Sequence, residues 1–378
     1  MAMYGVTQGL LDCGHAVRVL SLSSDKHPVA ADMEDTVFAR QTQFQSVSID
    51  LTINPVDATI ALLCGESYNV KRFYSKDFDR LLTVILQSET FDIVHVESIF
   101  MAPYLDTIRR FSKAPVVLRA HNVEHRIWQQ IAKGERRHLR RWYLKHLALS
   151  LRQYELEKVN IFDGIVCITE ADADMFRQLG CRKRMVSIPF GVDLKPLTPT
   201  DPEPNSLFHI GSMDWMPNQA SITWFLDKVW PLLHREMPQL HLYLAGRRMP
   251  TQLLQSRLEG VTVVGEVEDS GKFIASKQIN IVPLLSGSGI RIKIIEAMSL
   301  GKAIVTTSVG AAGIDYTDGH NLLIADTAEG FVNQVRRLID NPELSVALGQ
   351  NARKLVETHY CRKALAERLS SFYETLLQ

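Results

Sequence analysis

The sequence has no C-x-x-C pair, and its five cysteines, Cys13, Cys64, Cys167, Cys181 and Cys361, are odd in number and widely spaced. That argues against a disulfide framework or a structural zinc site and fits a reduced cytosol. The twelve histidines are scattered, and no metal site is expected from them. Net charge is also lacking: 42 Lys and Arg balance 42 Asp and Glu, so no global field draws in nucleic acid or anionic lipid. No apolar run approaches the roughly 18–20 residues that span a bilayer. The first twelve residues carry no basic charge, unlike a secretory signal. Short-period repeats and low-complexity tracts are absent. A cytoplasmic, globular protein is expected.

What is present is length, core and alternation. At 378 residues, 46% hydrophobic, the chain is long enough for two α/β domains. Strand-like runs at 16–21, 93–96, 115–119, 165–168, 186–188, 207–210, 240–244, 261–264, 279–282 and 303–306 are separated by helical patterns such as 218–236, 291–300 and 328–340. Such alternation means parallel sheets covered by helices on both faces. Ten strands are more than one sheet of this class holds comfortably. Four prolines crowd the polar stretch 195–204, a linker composition. The chain opens with a helix-like segment, 1–13, ended by Gly14, where a doubly wound domain starts with a strand and a glycine turn.

The segment richest in chemistry is Ile281-Val-Pro-Leu-Leu-Ser-Gly-Ser-Gly-Ile-Arg-Ile-Lys-Ile-Ile-Glu-Ala-Met-Ser-Leu-Gly301. It predicts a buried strand, a glycine-rich turn and a helix ended by Gly301. Arg291 and Lys293 fall in the first helical turn, where each cation costs about 0.3–1 kcal/mol against the dipole. Exposed amides, glycines and two cations together make a pocket for a phosphate or diphosphate. Glu296, the acid of this helix, is placed to accept ribose hydroxyls. Solvated surface charges with Ser288 as a plain N-cap are the competing reading.

This segment resembles the donor-site motif of glycosyltransferase family 4, retaining enzymes of GT-B fold, in a subgroup with Gly-x-Gly-x-Arg-x-Lys at the turn. Gly211-Ser-Met-Asp-Trp-Met-Pro-Asn218, Leu244-Ala-Gly-Arg-Arg248, Val264-Gly-Glu-Val-Glu-Asp269, His121-Asn-Val-Glu124 and Ile188-Pro-Phe-Gly-Val-Asp193 extend the likeness over roughly residues 5–378. The resemblance implies two doubly wound, Rossmann-like domains facing across a cleft. Residues 1–193 would be the acceptor side, lacking its first strand and glycine loop, and 194–204 a linker. Residues 205–358 would bind the donor, and the helix in 359–378 would cross back to the first domain. Glu296 would hold the ribose, and Arg291, Lys293 and the turn Gly287, Ser288, Gly289 and Ile290 the diphosphate. Gly211, with Asn218 and Gly246, would line the same phosphates, and Gly265 to Val267 would meet the base. His121 matches the histidine that faces the sugar. Two departures stand out: Ser288 replaces the first of the family's two glutamates, and Met213, Asp214 and Trp215 replace a basic pair.

Read this way, the chain is a glycosyltransferase that moves a sugar from a nucleoside-diphosphate sugar to a glycan or lipid-linked acceptor. Preorganised amides and cations would stabilise the departing diphosphate, so no metal and no further cofactor is required. Glu97, Asn122 and Glu124 are candidates on the acceptor side; Glu124 either orients His121 or simply opens the next helix, and Glu97 is either a cleft residue or a solvated loop acid. Asp172 and Asp174 imitate a metal-binding Asp-x-Asp, but Thr169 ahead of them marks a helix cap. Residues 133–147 form a basic amphipathic helix suited to an anionic membrane face or, more plainly, to solvent. Two other functions fit the pattern: a nucleotide-sugar epimerase on the same fold, or an inactive nucleotide-sugar-binding protein with an incomplete first domain.

Overall fold

The computed structural model describes every residue except 1, 26, 27, 30–32, 34, 35, 53, 55–66, 136, 195–200 and 288. Cys64, Ser288 and most of the proline-rich linker therefore lie outside the described residues. The chain divides into two compact units, Met1–Pro189 with Ala366–Gln378, and Phe190–Leu365.

The second unit holds a six-stranded parallel sheet: β7 (Glu203–Ile210), β8 (His241–Ala245), β9 (Val261–Gly265), β10 (Lys277–Val282), β11 (Ala303–Thr306) and β12 (Leu323–Ile324). Its order is β12-β11-β10-β7-β8-β9. The chain winds one way from β7 to β9 and then the other way from β10 to β12. That is a doubly wound sheet, with its switch point between β7 and β10.

Period-two alternation builds two cores. Leu207, Ile281 and Val305 face one side with Phe225, Leu233 and Phe331, while Phe208, Val282 and Ile304 face the other with Ile294, Ile295 and Met298. Burial on both faces is why these strands are almost continuously apolar.

In the first unit, β3 (Val94–Glu97), β4 (Val116–Ala120), β5 (Gly164–Cys167) and β6 (Arg184–Ser187) form a four-stranded parallel sheet in chain order. β1 (Leu20–Ser23) and β2 (Gln45–Ser48) pair parallel with each other as a separate sheet. Among the described residues no strand bridges the two. Val116, Leu118, Ile165 and Cys167 meet Leu105, Ile108, Phe162 and Phe176 in the core.

Several boundaries differ from the sequence reading. The strand expected at 16–21 ladders only from Leu20, where β2 runs beside it. β2 itself escaped notice because one apolar residue, Val47, stands among polar ones, and β12 is two residues long. The helix expected over 218–236 contains a π-helical stretch, Phe225–Val229. Pro231 follows just inside the next segment, Trp230–Glu236, and the wider turn accommodates a residue that lacks an N–H and crowds the preceding carbonyls. The single basic helix expected across 133–147 is broken: one helix, Glu124–Gly134, ends at its glycine with Glu135 extended, and a second, His138–Val159, begins after Arg137. Glycine is a poor helix former, and a stop there costs little.

Candidate active site

The donor corner is built at the switch point of the second unit. β7 runs into Gly211 and β8 into Gly246, and the two backbones touch. The Gly211 N–H donates to Ala245 O at 2.9 Å, and the Gly246 N–H to Gly265 O at 2.7 Å. A Cβ on Gly246 would overlap the Gly211 carbonyl oxygen, so this floor is bare backbone. Asn218, buried in the helix Met216–Trp224, donates Nδ2 to Ser212 O at 2.8 Å and holds the turn after Gly211.

Beyond β10 the turn reaches the helix Ile292–Ser299. Arg291 is its N-cap residue, in extended conformation, rather than a first-turn residue; Lys293 does stand in the first turn and Glu296 in the second. The N-cap carbonyl begins the helical ladder while its side chain stays outside. The Arg291 guanidinium lies over the Trp215 ring, 5.1 Å from its centroid. Both crowd Gly287, where a Cβ would come within 2.7 Å of Arg291 Nη2 and 3.0 Å of Trp215 Cη2. Gly287 and Gly289 take φ of +124° and +81°. Ile290 packs on the core beside the helix. Lys293 Nζ is 3.3 Å from the place a Gly211 Cβ would occupy. Burial lowers the pKa values of both Arg291 and Lys293, and for Lys293 the charges of Glu296 and Asp214 act the other way. The helix thus starts with two confined cations and no acid in its first turn. Gly265 and the half-buried Val267 lie at the end of β9.

Sequence reasoning missed His209. It is 2% exposed on β7. Its Nδ1 is 3.0 Å from Ile281 O, so this nitrogen donates and Nε2 is left as a lone pair. Nε2 is buried without a hydrogen-bond partner among the described residues, 2.7 Å from the same Gly211 Cβ position that Lys293 approaches. Burial, reinforced by the Lys293 charge, lowers the imidazole pKa to about 4 despite the bond to Ile281. A polar residue interrupting a buried apolar strand was the available signal.

In the first unit, His121 follows β4 and its Nε2 is 2.5 Å from Glu97 Oε2. Glu97 is the last residue of β3, not a solvated loop acid, with its side chain 20% exposed. His95 Nε2 is 3.3 Å from Glu97 Oε1, and the fully buried Arg119 Nε is 3.9 Å from Oε2. Burial pushes the Glu97 carboxyl up, but hydrogen bonds from His121 and His95 and the charges of His95 and Arg119 prevail, leaving it well below the usual range.

Asn122 Nδ2 is 3.5 Å from Glu124 Oε1, and Glu124 opens its helix. Burial first, and the nearby Glu155 second, raise Glu124 to about 7, against Asn122 and His121. Glu155 is another residue the sequence did not reveal. Its carboxylate accepts the Glu124 and His125 N–H groups at 2.9 Å each and His125 Nδ1 at 2.6 Å. It does the capping that Val123, at the N-cap, has no side-chain oxygen to do. His121 and His125 are four residues apart, yet their rings are committed to different carboxylates, Glu97 and Glu155.

Thr169 accepts from the Asp172 N–H at 3.1 Å, the cap expected ahead of 172–174. Among the described residues no helix is long and apolar enough to cross a membrane.

The glycosyltransferase family 4 model matches residues 2–196, and the model for glycosyl transferases group 1 matches residues 204–341. The first match alone covers more than half of the chain. The chain belongs to glycosyltransferase family 4. A relative in this size range is an uncharacterized 44.6 kDa protein in the cps region of Klebsiella pneumoniae, 22% identical over 293 residues, which are 75% of this family 4 chain and 74% of the relative.

Solved structures similar in fold include TarM (TM-score 0.60, 15% identity, 78% of this chain). Anabaena HepE in complex with UDP (0.64, 13%, 95% of this chain, 100% of that one) and sucrose-phosphate synthase from Thermosynechococcus elongatus (0.68, 17%, 98% and 91%) are also similar. The chain spans 58% of the length of TarM. The fold is GT-B, with two Rossmann-like domains.

Proposed function

We propose that this family 4 chain transfers a sugar from a nucleoside-diphosphate sugar to a hydroxyl of a glycan or lipid-linked saccharide, with retention and without a metal. One observation carries the reading. At the switch point, two glycine backbones in contact and the start of the helix Ile292–Ser299 bring Lys293 to Gly211 and Arg291 to Gly287, with no acid in the first turn of that helix. A diphosphate neutralises two confined cations there and accepts from the helix amides.

In the reaction the anomeric C–O bond breaks and its electron pair passes to the β-phosphate oxygen. The acceptor oxygen bonds to the anomeric carbon, and its proton leaves to the departing phosphate. Arg291 and Lys293 stabilise the charge that grows on that phosphate, the largest demand of an oxocarbenium-like step. Trp215 braces the Arg291 plane, Glu296 holds the ribose, and Gly265 to Val267 meet the base. The UDP complex of HepE supports a nucleotide donor. Leu139, 86% exposed, and Trp142, 60% exposed, flank Arg140 and Arg141 on the helix His138–Val159. They support a peripheral contact with an anionic membrane carrying a lipid-linked acceptor, which vesicle sedimentation with and without anionic lipid checks.

Thermal shift with UDP, GDP and ADP tests the donor site. At least one nucleotide is expected to stabilise the protein in EDTA, and Arg291→Ala, Lys293→Ala and Glu296→Ala to abolish the shift. Failure of every nucleotide sinks the reading. Strict dependence of donor hydrolysis on Mn²⁺ or Mg²⁺ sinks its metal-free part, and an inverted anomer by NMR its stereochemistry.

A further inference from the structure

The helix Arg362–Leu377 sends a side chain to the His121 cluster. Its residues from Ala366 onward belong to the first unit. Phe372 and Leu376 lie so close to Gly164 on β5 that a Cβ there would come within 2.9 Å of each ring or methyl carbon. Seated this way, the helix places Tyr373 Oη 2.5 Å from His95 Nδ1. His95 and Glu97 are two apart on β3 and share a face of the sheet, and Arg119 is the register partner of Glu97 on β4. A continuous line of polar contacts therefore runs from Tyr373 through His95 and Glu97 to His121, with a buried guanidinium alongside.

Hydrogen-bond chemistry gives this line a direction. A carboxylate only accepts. His121 Nε2, 2.5 Å from Glu97 Oε2, must then carry a proton, while Tyr373 Oη and His95 Nδ1 share a hydrogen bond at 2.5 Å. The hydrogen bond from His121 favours the ionised form of Glu97, and the charge of the fully buried Arg119 adds to it.

We propose that Glu97, steadied from the C-terminal helix by Tyr373 and His95, is a positioning residue that fixes His121 with its proton on Nε2. The tautomer assignment stands on these contacts alone; its effect on turnover rests on the donor-transfer reading above. Tyr373 stands 278 residues from His95 in the chain, and no local motif links them.

Long-range ¹H–¹⁵N correlation spectra of histidine-labelled full-length protein test it, with His121 and His95 signals assigned through His121→Asn and His95→Asn. In the wild type, His121 is expected to carry its proton on Nε2. Glu97→Gln, whose amide can donate, is expected to move His121 toward Nδ1–H. It should also lower kcat by about tenfold or more with little change in donor KM. Tyr373→Phe, which keeps every charge, is expected to shift the His95 signals and lower kcat by about two- to fivefold. A wild-type His121 protonated on Nδ1 overturns the proposal without any variant. So do His121 shifts that do not respond to Glu97→Gln. If the protein binds no nucleotide, the donor reading fails while the spectra still decide the tautomer.

Discussion

Gly246 and Gly211 meet backbone to backbone, and no side chain fits between them. Gly246 sits at φ +145° with its Cβ direction blocked by the Gly211 carbonyl. Gly246→Ala must both strain this backbone and part the ends of β7 and β8. A loss of at least ~2–3 kcal/mol in urea denaturation is expected, with loss of nucleotide binding. Gly265→Ala has the same nominal size but finds no atom within 4 Å at φ +78°. Only backbone strain opposes it, so about 1–2 kcal/mol is expected. Equal effects from the two substitutions contradict the close contact.

Trp215 lies against Arg291, whose guanidinium is 5.1 Å from its ring centroid. A cation over an exposed ring contributes about 0.5–1 kcal/mol. Trp215→Ala is therefore expected to weaken binding of the nucleotide that stabilises the protein about two- to fivefold by calorimetry, and Trp215→Phe to restore most of it. An unchanged affinity in Trp215→Ala removes the bracing role.

Glu124 gives stability a pH slope. Its folded pKa, about 7, exceeds the ordinary 4.5, so between these values the native state holds a proton the unfolded chain has lost. Stability then falls as pH rises from about 4.5 to 7 and levels off above. Glu124→Gln is expected to flatten that part of the profile and to raise stability at pH 8 by roughly 1–3 kcal/mol. Denaturation midpoints at pH 5 and pH 8 check it; an equal wild-type slope in the variant contradicts it.

His209 acts at the acid side. Its folded pKa, about 4, lies below the ordinary 6.5, so between these values the unfolded chain binds a proton the native state refuses. Stability is lost as pH falls from about 6.5 to 4. His209→Gln is expected to reduce this slope whatever it does to absolute stability, and denaturation at pH 5 against pH 7 measures it. An undiminished acid slope means that His209 is not the source.

Much of the second unit was legible in the residues. Val261, Ile279 and Ala303 open near-continuous apolar runs, and Ala328–Asp340 shows its amphipathic stripe over its full length. The helix after Gly289 was legible as well, but its start was not. Whether Arg291 is the first helical residue or the cap is a matter of one extended backbone angle, which periodicity cannot resolve. Residues 133–147 misled for a related reason: basic and aromatic side chains continue the pattern across Gly134, and only the backbone ends there. Glu97 could be read as a cleft residue or as a loop acid because His121 and Arg119, which hold its carboxylate, come from a different strand and its following loop. Glu155, thirty-one residues beyond Glu124, caps a helix whose own N-cap position is Val123, so no local capping signature existed.

Sequence alone determined the long apolar strands and the strongly periodic helices, the doubly wound class, and the glycine and cation content of the donor turn, because these depend on periodicity and on residue types within one segment. Tertiary structure decided that Gly211 and Gly246 touch, that His209 stands buried beside Lys293, and that Tyr373 reaches the His95–Glu97–His121 line. Those pairings join distant segments, and the chain records them only through the packing of its sheets.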